Sequence, residues 1–302
     1  MSRFLFVTDL HINTVCAVRT GNPLDDVLSK LRWCVDKANE LDATLLLGGD
    51  IFDKATVPYE AVNGVMDVLS ECRYTALCVW GNHDMLYRAD ENARRCALYT
   101  LGASGTVGFI DNTVVSYPDC YVGGQLPLET RDKPQILVYH GFLEQKDGRF
   151  TVSVSDLVGC SSPALVLLGH DHVEYANYVV NDHITVVRPG SLFRNRRVST
   201  SDRVPKAVYV EVENGSIRHS LLEVSVARSA SDIFSVSGSM PESVTSSDPS
   251  TMSYDALLEL LRNSSGGDDL SFMDALRMVA PDDVVSYCDG ILGAASVQKK
   301  GK

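Results

Sequence analysis

Five short polar strings, each at the end of an apolar run of strand character, constrain this chain more than anything else in it. Asp9-Leu10-His11 follows residues 4–8, and Gly49-Asp50-Ile51-Phe52-Asp53 follows 44–47. Gly81-Asn82-His83-Asp84 follows 75–80, His140-Gly141 follows 136–139, and Gly169-His170-Asp171-His172 follows 164–168. Short apolar runs bounded by turn residues suit strands buried on both faces. Open α/β sheets gather ligands at the carboxyl ends of their strands. The five strings therefore bring acids, imidazoles and an amide to one edge. Their donors are oxygen and nitrogen without thiolate, a set that suits Mn, Fe, Zn or Mg better than a soft metal. Of the seven histidines, only His183 and His219 lie outside these strings.

The segments between the strings set the fold class. Leu24, Val27, Leu28, Leu31 and Val35 recur at helical spacing, which predicts a helix over residues 24–41. Further helices are expected over 59–70, with Pro58 in the first turn, and over 89–99. This β-α-β-α-β series predicts right-handed crossovers and a mostly parallel sheet. Residues 106–110, 113–117 and 119–123 are short, β-branched or aromatic, and separated by turn residues, so they read as antiparallel strands. Strands at 135–139, 164–168, 174–180, 183–187, 206–212 and 216–222 follow, the last two joined by the hairpin turn Asn214-Gly215. The expected architecture is a two-sheet α/β sandwich with helices outside.

Composition excludes several classes. The 302 residues are 45% apolar, which is globular rather than disordered. No uncharged apolar run reaches the length of a membrane span, and the N-terminus enters a strand without a basic-then-apolar leader. The eight cysteines are scattered with no C-x-x-C pair, so structural thiols in a reducing compartment are expected, and with them a cytoplasmic location. Cys16, the one nearest a motif, could line the pocket. The net charge of −12 argues against a nucleic-acid coat protein. Between residues 188 and 206, however, Arg188, Arg194, Arg196, Arg197, Arg203 and Lys206 face only Asp202. Such a strip is either a polyanion contact or a solvated loop.

In order and content the five strings resemble the calcineurin-like metallophosphoesterase superfamily, whose pattern is D-x-H, G-D-x-x-D, G-N-H-D/E, H and G-H-x-H. The likeness covers roughly residues 3–220. It implies a two-metal site in which Asp50 bridges, Asp9, His11 and His172 complete one half, and Asn82, His140 and His170 complete the other. Asp9 and His11 are two apart, so extended backbone would put both on one face. The superfamily's non-ligand histidine, which protonates the leaving oxygen, matches His83, and Asp84 is expected to hold its other ring nitrogen. Asp53 is expected to brace its loop, Asp171 to be a loop acid, and Gly49, Gly81 and Gly169 to make tight turns.

Protein phosphatases of this superfamily carry Arg where this chain has Lys54 and Trp80, which argues against that branch. Gly49-Asp50-Ile51-Phe52-Asp53 is similar to the G-D-I/L-F-D string of SbcD-type DNA repair nucleases, and Pro189-Gly190-Ser191 is similar to the P-G-S element that follows G-H-x-H there. That likeness implies two divalent ions, Mn foremost with Mg, Fe or Zn as alternatives. It also implies DNA as substrate, an SbcC-type ATPase and a second copy of the chain as partners, and no membrane. Arg194, Arg196 and Arg197 would then contact the DNA backbone. A small-molecule or nucleotide phosphodiesterase is the alternative, and a non-catalytic scaffold would be expected to have lost ligands that this chain keeps. The catalytic domain is expected over 1–224, a Ser-rich linker over 225–250 and a small helical tail over 251–302. This tail is shorter than the cap and ATPase-binding region of those nucleases, as in a compact or viral version. It would dock a partner or cap the active site.

Overall fold

The computed structural model describes residues 1–16, 19–86, 90–144, 151–194 and 203–234. Arg196, Arg197 and the expected tail over 251–302 lie outside the described residues. So does the Ser-rich stretch beyond residue 234.

The alternating run of β1 (Ser2–Val7), α1 (Pro23–Glu40), β2 (Thr44–Leu47), α2 (Tyr59–Leu69) and β3 (Ala76–Cys78) forms as the pattern requires. α1 starts where Asn22 caps the Leu24 N–H, with Pro23 in the first turn and Asp25 and Asp26 complementing the dipole. Pro58 stands at the N-cap of α2, one position before its expected place. The expected third helix is split. A 3-10 turn covers Asp90–Arg95, and α3 covers Ala97–Ala103. Cys96 between them is extended, and the Ala97 N–H leaves the helical ladder to bond the Ala55 carbonyl.

β4 (Val107–Phe109) pairs parallel with β3, because α3 is the crossover between them, so the antiparallel expectation fails there. It holds for β5 (Val114–Ser116) against β6 (Tyr121–Gly123). The remaining strands are β7 (Gln135–His140), β8 (Phe142–Glu144), β9 (Thr151–Ser153), β10 (Ala164–Gly169), β11 (Tyr175–Val180), β12 (Ile184–Arg188), β13 (Lys206–Glu213) and β14 (Ser216–Glu223). The short α4 (Val154–Val158) and α5 (Ala230–Ile233) complete the described elements. β8, β9 and α4 fall in a stretch without clear periodicity and have no counterpart in the sequence expectations. Asn214 and Gly215 take positive φ of 51° and 77°, as a two-residue hairpin turn needs.

Two six-stranded sheets result, in the orders β14-β13-β1-β2-β3-β4 and β11-β12-β10-β7-β6-β5. The period-2 alternation of β1 decides what each face meets. Phe4 and Phe6 pack with Leu46, Val138, Leu165 and Leu167 between the sheets, while Leu5 and Val7 pack with Val27, Leu31 and Val65 beneath α1 and α2. Each such side chain, fully buried, contributes roughly 1.5–3 kcal/mol. Leu137, Val166 and Leu168 form a third layer with Leu157 of α4. Within residues 225–234, expected as the start of the linker, Ala230, Ile233 and Phe234 pack together instead. Ile233 and Phe234 are buried, and the Thr20 N–H donates to the Ile233 carbonyl. Ser codes for a loop here, but an apolar pair anchors it.

The seven cysteines among the described residues form no disulfide, and no described helix is long and apolar enough to cross a membrane.

Candidate metal centre

β1, β2 and β3 run parallel to one another in one sheet, as do β7 and β10 in the other, and their carboxyl ends meet at one edge of the sandwich. The loops leaving them carry every ligand candidate named from sequence. Three groups have ligand atoms within 4.8 Å of one another: Asp9 with His11 and His172, Asp50 with His140 and His170, and His11 with Asp50 and His83. Asp50 lies between the halves, its Oδ2 3.2 Å from His140 Nε2 and 3.8 Å from His11 Nε2. Asn82 joins the second half, its Oδ1 3.1 Å from His140 Nε2.

Local backbone makes this convergence possible. Asp9, His11, Asp50 and His170 all have positive φ, of 55°, 44°, 48° and 85°. The loops are therefore left-handed turns, and Asp9 and His11 reach one site by that turn rather than by extended backbone. Such conformations cost of order 1–3 kcal/mol each and persist only where surroundings fix them. The Asp9 N–H is held by the Gly49 carbonyl and the His11 N–H by the Asp50 carbonyl. Gly81 must be glycine, since a Cβ there would sit 2.1 Å from the backbone N of Asp50. At Gly169 a Cβ would meet Thr8 Oγ1 at 2.1 Å.

The side chains are oriented as well as gathered. The carboxylate of Asp9 accepts from the Thr8 hydroxyl and the His170 N–H, which leaves it turned toward His172 at 3.6 Å. His140 bonds the Gly48 carbonyl through Nδ1 at 2.7 Å, so its Nε2 faces Asp50 and Asn82. A backbone carbonyl behind an imidazole is a common way to fix the tautomer of a metal ligand. The rings of Phe142 and His170 meet edge-on at 4.3 Å.

Burial sets the electrostatics. It works to raise the Asp50 carboxyl, but His140, His11 and His83 outweigh it and hold Asp50 well below the usual carboxylate range. For His140 burial works downward, yet the Asp50 charge and hydrogen bond push it up to about 9. Burial, then repulsion from His140, takes His170 down to about 3, and burial with His172 lowers His11. Burial raises Asp9. A cluster of carboxylates and imidazoles, oxygen and nitrogen donors only, matches the needs of hard-to-borderline divalent cations. His11 Nδ1 is buried without a hydrogen bond, 3.7 Å from Asp53 Oδ1.

One expected role changes. His83 bonds the Asp53 main-chain carbonyl through Nδ1 at 2.8 Å, so Asp84 does not orient it. Asp84 is fully buried and accepts the N–H groups of Ile51, Phe52 and Gly81, tying the second and third loops together. Burial and the nearby Asp50 push its carboxyl up to about 7. Asp53 braces its loop, accepting from Asn13 Nδ2, and Asp171 caps its own turn at Val173.

Among the described residues of the basic strip, the arginines and the lysine have partners within the protein. Arg194 is 5% exposed and donates to the carbonyls of Arg203 and Arg228, so the assignment of Arg194 to DNA is corrected. Arg203 donates to the His172 and Ser191 carbonyls, and Lys206 pairs with Glu174. Arg188 lies over the Tyr175 ring at 4.3 Å. Arg194 and Arg203 are spent on main-chain carbonyls, which need donors when buried. Sequence reasoning also missed a buried charge cluster of Arg19, Asp26 and Lys30. Its signal was present: Lys30 falls three after Val27 and four before Cys34, on the apolar stripe, with Asp26 four before it.

The family model for calcineurin-like phosphoesterases matches residues 2–186. The chain belongs to that family. No curated protein matches it. Among solved structures it is similar to a 5'-nucleotidase precursor from Thermus thermophilus, at 13% identity and TM-score 0.46, over 76% of this chain and 56% of that one. It is similar to the NAD nucleotidase of Haemophilus influenzae at 11% identity and TM-score 0.44, over 74% of this chain and 49% of the other. A predicted phosphoesterase from Streptococcus pneumoniae aligns at 13% identity and TM-score 0.36, over 74% of this chain and 90% of its own. The chain thus spans about half the length of the two nucleotidases.

Proposed function

We propose that this chain is a phosphodiester hydrolase that works with two divalent ions, and that DNA is its substrate. The observation that carries the first part is the placement of Asp50 between two ligand sets, 3.2 Å from His140 and 3.8 Å from His11. Asp9, His11, His172 and Asp50 would hold one ion, and Asp50, Asn82, His140 and His170 the other. When bound, two such ions clamp the oxygens of a phosphoryl displacement and lower the pKa of a coordinated water. Asp50 and Asp9 carry the negative charge that makes this edge take cations. His83, edge-on to His11 at 4.8 Å and fixed by the Asp53 carbonyl, is placed to give a proton to the leaving oxygen.

A diester is favoured over a monoester because a dianionic phosphate asks for further cationic clamps. At the two positions where protein phosphatases carry Arg, Lys54 is exposed and Trp80 stacks on Phe109 at 5.1 Å. DNA as substrate rests on the Gly49-Asp50-Ile51-Phe52-Asp53 and Pro189-Gly190-Ser191 strings. One observation favours a small diester instead: Arg194 and Arg203 are used internally. Linear DNA, circular single-stranded DNA and bis-p-nitrophenyl phosphate, each offered with Mn²⁺, decide the matter. Cleavage of all three supports the nuclease, and hydrolysis of the small diester alone overturns it.

A further inference from the structure

The buried cluster missed in the sequence lies directly behind half of the candidate centre. Lys30 is 0% exposed, and its ammonium pairs with Asp26 at 3.0 Å and donates to the Leu192 carbonyl at 3.2 Å. Arg19 pairs with the same carboxylate and donates to the Arg194 carbonyl at 2.8 Å. The Phe193 ring between those carbonyls has the Arg19 guanidinium 4.3 Å and the Lys30 ammonium 5.3 Å from its centre. On its other side the same segment reaches the site: the Leu192 N–H donates to the Thr8 carbonyl and the Phe193 N–H to the Asp9 carbonyl. The Ser191 N–H donates to the His172 carbonyl.

Burying an ammonium costs several kcal/mol, and a hydrophobic residue of similar size at a helix–sheet contact is often no worse for stability. Stability alone therefore gives little reason for Lys30. A geometric reason is available. Asp9 sits at a positive φ, and its carbonyl is fixed by a segment that has no regular secondary structure of its own. The segment's Leu192 carbonyl meets the middle of α1, where backbone N–H groups are already used, so a side-chain donor such as Lys30 must hold it, and the Arg194 carbonyl takes the Arg19 guanidinium.

We propose that Lys30, with Asp26 and Arg19, is a positioning residue for the Asp9 and His172 half of the metal centre, acting through residues 191–194. It touches neither metal ligand. The inference rests on the two-ion reading of the site and assigns the determinants of one half of it. Loss of the Lys30 donor frees the Leu192 carbonyl, loosens the clamp on the Asp9 main chain and weakens that half selectively. Residues that orient ligands from behind typically cost about 10–100-fold in metal affinity when changed.

The test is Mn²⁺ binding by the full chain, followed by equilibrium titration and by the electron paramagnetic resonance of the bound ions. Wild-type protein is expected to take up two ions that are magnetically coupled. Lys30→Met should keep one ion at wild-type affinity, lose about 10–100-fold at the other, and give an uncoupled signal at intermediate Mn²⁺. Lys30→Gln, which keeps an N–H donor for the Leu192 carbonyl without the charge, should fall between. It also serves if Lys30→Met does not fold. Either variant binding two coupled ions at wild-type affinity, with only its unfolding midpoint lowered, overturns the inference and leaves Lys30 a stability residue. Equal weakening at both sites overturns it as well. Wild-type protein that takes up fewer than two ions sinks the two-ion reading, and this inference with it.

Discussion

His11 and His172 present their Nε2 atoms to each other at 2.9 Å, one from the first sheet and one from the second. Only one proton fits between the two Nε2 atoms, and burial together with His172 lowers the His11 imidazole. The Asp9 carboxylate lies 3.6 Å from one ring and 3.9 Å from the other. Ring nitrogens that converge beside an anion make a cation site and a poor core. This relationship ties the fold to its chemistry, since it exists only because the two sheets end at the same edge.

The proton-donor role proposed for His83, outside both ligand sets, predicts a separation of binding from rate. His83→Ala should bind metal as wild type does and lose activity by roughly 10²–10⁴-fold, the usual contribution of a general acid. Elemental analysis alongside initial rates checks both parts. A metal-depleted variant, or one with full rate, removes the proposed role.

Asp84 should behave as a brace. Asp84→Asn turns an amide N–H₂ toward backbone donors of Ile51, Phe52 and Gly81, and a mispaired buried group of that kind costs about 1–3 kcal/mol. The unfolding midpoint in urea should drop, while the limb of the pH–rate profile expected from His83 as proton donor stays where it is in wild type. Movement of that limb would return Asp84 to the role of orienting His83.

Arg194 is expected to matter for folding and not for substrate. Arg194→Ala leaves the Arg203 and Arg228 carbonyls without its guanidinium, at a cost of about 2 kcal/mol or more. The salt dependence of DNA binding should be unchanged, since each true phosphate contact contributes about one to that slope. A shallower slope in a stably folded Arg194→Ala would mark it as a DNA contact.

Lys30 adds a pH signature. Burial outweighs the Asp26 charge and lowers its ammonium from 10.5 to about 8, with Arg19 and Arg194 as further cations facing it. Between those two values the unfolded chain binds more protons than the folded one, so stability rises with pH through that window. Below it the cost of burying the charge is fully present. Urea unfolding of wild type and Lys30→Met, compared at both ends of the window, should show wild type gaining on the variant as pH rises. A constant difference contradicts the lowered ammonium.

The parts of this molecule that could be read from sequence are those with a strong local signature. The apolar runs before Asp9, Asp50 and His170 are buried parallel strands, and chemistry-bearing residues at their ends have nowhere else to go. Asn214-Gly215 fixed a hairpin for the same local reason. What escaped was decided by tertiary contact. Cys96 breaks a helix because Ala55 competes for the next N–H, and β4 is parallel because a short α3 crosses over. Arg194 looks solvent-bound in sequence but lies under residues 203 and 228, which no local pattern connects. The partner of His83 was misassigned because a neighbouring carboxylate is visible in sequence and a carbonyl thirty residues away is not.

Dependence of hydrolysis on two ions bridged by Asp50 is tested by bis-p-nitrophenyl phosphate hydrolysis with chelator-stripped protein, titrated with Mn²⁺ beside Asp50→Ala. The expected result is no turnover when stripped, recovery that saturates at two ions per chain, a smaller response to Mg²⁺ at this imidazole-rich site, and no recovery in the variant. Undiminished hydrolysis by protein free of metal, or full recovery in Asp50→Ala, would contradict it.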